Sequence, residues 1–133
     1  MNTSFAALIA AAIAFGTPVY ADSVKYVGYS MSKKRADVKG SFIVDGYSYR
    51  QIAGFIAQDC TGKLGQMKLL GKPRKKRGHL IQKFSVPCAG GPVAAHKGSA
   101  VSIEVQQQPD GRNLVEIFGS DGLGNLGTRT EYR

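Results

Sequence analysis

Apolar and polar residues alternate along most of this chain with the two-residue period of half-buried strands. SVKYVGYSM (Ser23–Met31) is rich in β-branched and aromatic residues and runs into the polar SKKR. DVKGSFIV (Asp37–Val44) repeats the pattern and ends at the turn pair Asp45-Gly46. The period changes next. In SYRQIAGFIAQDCTG, Ser48 and Gln51 have capping-box spacing, Tyr49, Ile52, Ala53, Phe55 and Ile56 form an apolar stripe, and Gly62 is a stop. One short helix near 49–60 follows from this, weakened by Gly54.

Beyond the helix, LGQMKLL and HLIQKFSVP read as an antiparallel hairpin joined by the basic tip GKPRKKRGH, Gly71–His79. Cys88–Ala100 is loop by its Gly and Pro content. AVSIEVQQQ and RNLVEIF flank PDG, which suits a type I turn with a bulge. With Pro109, Asp110 and Gly111 as the loop, Val105 faces Val115 and Ile103 faces Ile117. Glu104 then faces Glu116 on the other side. The pattern predicts about six strands and one helix: an α+β domain, mainly antiparallel, with its sheet open or closed into a small barrel.

The N-terminus changes the picture of where this domain works. Phe5–Phe15 is an uncharged apolar run, followed by small residues Val19 and Ala21. Residues 1–21 therefore read as a cleaved signal peptide and 22–133 as a single sheet-rich domain, exported to the periplasm or the medium. The run is well short of the roughly 20 residues that span a bilayer, and no later stretch is apolar enough. Two cysteines in an exported chain make one disulfide, Cys60–Cys88. Closing that loop stabilises by about 3.6 kcal/mol on a chain-entropy estimate. No metal or cofactor is expected, because Cys60, Cys88, His79 and His96 match no common ligand spacing.

The formal net charge is +9. Such an excess favours anionic partners: lipopolysaccharide, a phospholipid surface, an acidic glycan, a nucleic acid or an acidic protein. Lys72, Arg74, Lys75, Lys76, Arg77 and His79 form the basic tip, and Lys33, Lys34 and Arg35 a second basic run. Arginine forks suit phosphate or carboxylate, and lysines add point charge. The competing reading is a solvated turn that resists edge pairing.

Other candidates are weaker. GLGNLG (Gly122–Gly127) matches a dinucleotide motif but lacks the helix and strand that motif needs, so it reads as a flexible connection to TRTEYR. Glu104 and Glu116, about 4.5–5.5 Å apart at Cβ if opposed, have the geometry of an acid/base or cation site. His79 and His96 would suit ribonuclease chemistry only if the fold united them. Tyr26, Tyr29, Tyr47 and Tyr49 read as packing more than as stacking platforms. The leading expectation is a non-enzymatic binding protein that engages an anionic envelope component or nucleic acid through the basic tip. A protein–protein adaptor or inhibitor using a sheet edge, and a small nuclease or hydrolase, are the alternatives.

Overall fold

The alternating segments assemble into one antiparallel sheet in a computed structural model, which describes residues 24–96, 99–120 and 126–133. Its strands are β1 (Tyr26–Ser32), β2 (Asp37–Ile43), β3 (Lys68–Lys76), β4 (His79–Pro87), β5 (Ala100–Gln107), β6 (Asn113–Ser120) and β7 (Leu126–Tyr132). They lie in the order β3-β4-β2-β1-β5-β6-β7. The sheet is open, with β3 and β7 as its edges, so it is not a barrel. The strand beyond the six expected is β7, formed from the tail after the glycine run. The expected signal segment, residues 1–21, and residues 122–125 of GLGNLG lie outside the described residues.

The helix, α1 (Tyr49–Asp59), starts as its capping box dictates. The Gln51 backbone N–H donates to Ser48 Oγ at 3.1 Å, and the Ser48 N–H donates to Gln51 Oε1 at 2.9 Å. Its stop differs from expectation: Cys60 already leaves the helical region, with φ −100° and ψ 131°. Gly62 serves a close approach instead, since a Cβ there would stand 2.0 Å from the Ala89 carbonyl oxygen. That approach lies beside the disulfide Cys60–Cys88, which ties the end of α1 to the end of β4.

Ile52, Phe55 and Ile56 of α1 pack on Val27, Tyr29 and Met31 of β1, Phe84 and Val86 of β4, and the paired apolar residues of β5 and β6. The register of the last hairpin is the expected one, with Val105 opposite Val115 and Ile103 opposite Ile117. Gly111 (φ 90°) closes its turn by donating to the Gln108 carbonyl at 2.9 Å. One sheet face is therefore sealed by α1, and the other is left open.

Candidate functional site

The basic stretch is a strand, not a turn. Its residues 71–76 belong to β3, and the connection to β4 is only Arg77-Gly78, with φ of 53° and 82° and Lys76 paired to His79. Positive φ at both positions is what a tight two-residue hairpin needs to match strand twist. Every residue of β3 is exposed. Lys68, Lys72, Arg74, Lys75, Lys76 and Arg77 thus line an arm at the sheet edge that contains no acidic residue.

A bulge shapes this arm. The pairing of β3 with β4 shifts between Leu70 and Arg74, so Gly71, Lys72 and Pro73 stand opposite Gln82 alone. Proline is tolerated there because the bulge asks for no ladder N–H. Gln82, 4% exposed, donates to the Gly71 carbonyl at 3.1 Å and lies 3.3 Å from that of Leu70. Directly paired residues share a face. Leu69, Lys75 and Leu80 consequently lie on the helix side, and Leu70, Arg74, Lys76 and His79 on the open side.

Lys33, Lys34 and Arg35 do not extend this patch. They occupy the β1–β2 turn, beyond the Asp37/Pro87 pair, whereas the arm tip lies beyond His79. Eight strand residues separate those levels, about 27 Å at the usual rise. The two basic runs belong to opposite ends of the sheet.

Glu104 and Glu116 are directly opposed on the open face, as their register requires. Gly28 flanks Glu104 on the other side, and the Tyr26 ring lies over Gly28. Burial raises the Glu104 pKa to about 7; Glu116 adds to the rise, and a hydrogen bond with Tyr26 opposes it. The site is a shallow hollow of about 220 Å³, lined also by Ser30, Lys39, Ser41 and Ser102. A carboxyl that holds its proton near neutrality is there, but no cleft encloses a substrate around it.

The histidines are not brought together. His79 stands at the arm tip, while His96 is buried in a cluster that spacing rules do not reveal. At its centre Asp59, fully buried, accepts from Tyr29 Oη (2.5 Å), His96 Nε2 (2.8 Å), Arg133 Nη2 (2.7 Å) and Arg133 Nη1 (2.9 Å). Arg129 Nη2 stands 3.0 Å from His96 Nδ1. A guanidinium only donates, so Nδ1 accepts and the proton of His96 sits on Nε2, aimed at Asp59. Burial pushes the Asp59 pKa up, but the bonds from Arg133, Tyr29 and His96 outweigh it and hold the carboxyl below its ordinary value. With its acceptor positions filled, this cluster locks structure and leaves no free nucleophile.

One sequence signal for the cluster existed. Asp59 continues the buried stripe Ile52, Phe55, Ile56 at helical spacing, and a carboxylate there demands a partner. Of the four tyrosines, Tyr26, Tyr29 and Tyr47 are buried, and Tyr49 is exposed. Among the described residues no group of three or more His, Cys, Asp or Glu is placed to hold a metal ion, and no helix is long and apolar enough to cross a membrane. Comparison with protein-family models, with curated proteins and with solved structures finds no match for this chain.

Proposed function

We propose that this is an exported, non-enzymatic binding protein whose cationic arm holds an anionic component of the envelope or a nucleic acid. One observation carries the reading: an edge strand with every residue exposed, with five Lys or Arg of its own and Arg77 at its tip, in a stretch whose sequence holds no acidic residue. Mutual repulsion among such charges is relieved by a bound anion, and Arg74 and Arg77 offer forks for phosphate oxygens. The disulfide and the apolar N-terminal run support an oxidising compartment outside the cytosol.

The test is a salt titration of polyphosphate and duplex DNA binding by residues 22–133. About five phosphate contacts on a duplex imply roughly 500-fold weaker binding at 200 mM than at 50 mM salt. The triple variant Lys75→Ser, Lys76→Ser, Arg77→Ser should lose that salt-sensitive binding. Binding unchanged in this variant would remove the arm from the function.

A further inference from the structure

The arm is not only charged. Among the described residues, six large apolar side chains are exposed, and three of them lie on the helix side of the arm or beside it: Leu69 (49%) and Leu80 (42%) on the hairpin, and Tyr49 (55%) at the start of α1. A nucleic-acid backbone gains nothing from a leucine, and solvent disfavours it. Between the β3 bulge and the first turn of α1 runs a groove of about 760 Å³, lined by Phe42, Val44, Tyr47, Tyr49, Leu69 and Pro73. The bulge shapes this groove, because Pro73 and Leu69 border it while Gln82 fixes the carbonyls between them. Lys75 and Leu80 continue the same side of the arm outward.

We propose that this groove takes the acyl chain of an anionic phospholipid whose phosphate is held by the arm. The inference rests on the arm being an anion site, and it names the ligand class. Leu69 and Pro73 line the groove and Lys75 follows on the same side of the strand, so a phosphate head joined to a hydrocarbon chain is complementary to both. A purely polar anion would use the rim and leave the leucines in water. Asp45 is the one carboxylate on the lining, and it opposes the head group.

Dihexanoyl phosphatidylglycerol, used below its micelle concentration, is the probe, with glycerol phosphate, dihexanoyl phosphatidylcholine and polyphosphate as the other arms. The phosphatidylglycerol should bind, and glycerol phosphate and phosphatidylcholine should bind at least tenfold more weakly. Leu69→Ser and Tyr49→Ser should each weaken phosphatidylglycerol binding about fivefold, the gain from covering half an apolar side chain. Polyphosphate binding should stay unchanged in both, which also reports intact folding. Asp45→Asn should tighten phosphatidylglycerol binding about threefold, since asparagine keeps the left-handed backbone at φ 69°. Glycerol phosphate binding as tightly as the lipid, or Leu69→Ser without effect, overturns the lipid assignment and leaves the anion site standing. Failure of the wild type to bind any of the four overturns both.

Discussion

The two edges of the sheet carry the same kind of residue and use it in opposite ways. At β3 the Lys and Arg side chains stand in solvent, and beyond its ladder to β4 the strand is held at its bulge by Gln82. At β7 the arginines are paired, Arg129 with Glu131 and His96, and the one just past the strand turns inward. Arg133, with its side chain 8% exposed, forks onto Asp59, and Glu131 bonds it at Nε. Asn113, held by the Tyr47 hydroxyl, bonds the Arg133 backbone as well. The difference teaches that a count of basic residues does not locate available charge: one edge presents it and the other neutralises it in the core.

The contrast breaks most directly at Asp59. Asp59→Asn takes from the buried Arg133 guanidinium the carboxylate it forks onto, leaving only the Glu131 carboxylate at Nε, and should cost about 3–5 kcal/mol. Thermal melting should fall by roughly 15 °C for a domain of this size. A loss below about 1 kcal/mol would mean that β7 is held no better than an ordinary edge. Acid should act in the same direction. Because the folded Asp59 pKa is depressed, its contribution is complete above the ordinary carboxylate value and is lost as pH falls from there through the lower folded pKa.

Between the edges, Glu104 should give the opposite pH slope. Its folded pKa of about 7 exceeds the ordinary 4.5, so its contribution is full below 4.5 and is lost as pH rises through 7. The loss should be about 2 kcal/mol after allowance for partial exposure. Denaturant melts of Glu104→Gln should lack this slope, and the variant should be the more stable protein at pH 8. Equal pH profiles for the two would show that the opposed carboxylates do not share strain.

Gln82→Ala should cost less, about 1 kcal/mol, and locally. Amide exchange should quicken at residues 68–76 and stay unchanged at residues 126–132. Exchange quickening equally at both edges would show that Gln82 supports the whole sheet rather than the arm. The triple serine variant of the arm should be the smallest perturbation, within about 0.5 kcal/mol of wild type, because its side chains are exposed.

Local rules reached the last hairpin and the helix start because each is written in neighbouring residues, and the disulfide followed from there being only two cysteines to pair. Pro109-Asp110-Gly111 sets a turn, the turn sets a register, and the register places Glu104 against Glu116. The basic stretch was legible as charge but not as strand, since Gly71 and Pro73 read as loop unless Gln82 is known to cap the bulge. The Asp59 cluster joins residues up to 104 positions apart, and no spacing rule spans such a distance. TRTEYR alternates β-forming Thr and Tyr with charged residues, but the glycines before it hid a strand that delivers Arg133 to Asp59.

The pairing at β7 has an effect felt well beyond the molecule's surface. Residues 100–133 hold three basic and five acidic residues, whereas residues 22–99 hold fifteen basic and four acidic. Because β5, β6 and β7 form one end of the sheet and β3 the other, this imbalance makes the protein a permanent dipole with its positive pole toward the arm. In the field of an anionic surface such a body experiences a torque before contact, and its collisions become oriented rather than random. The edge whose charges are paired thereby helps orient the edge that presents them to solvent.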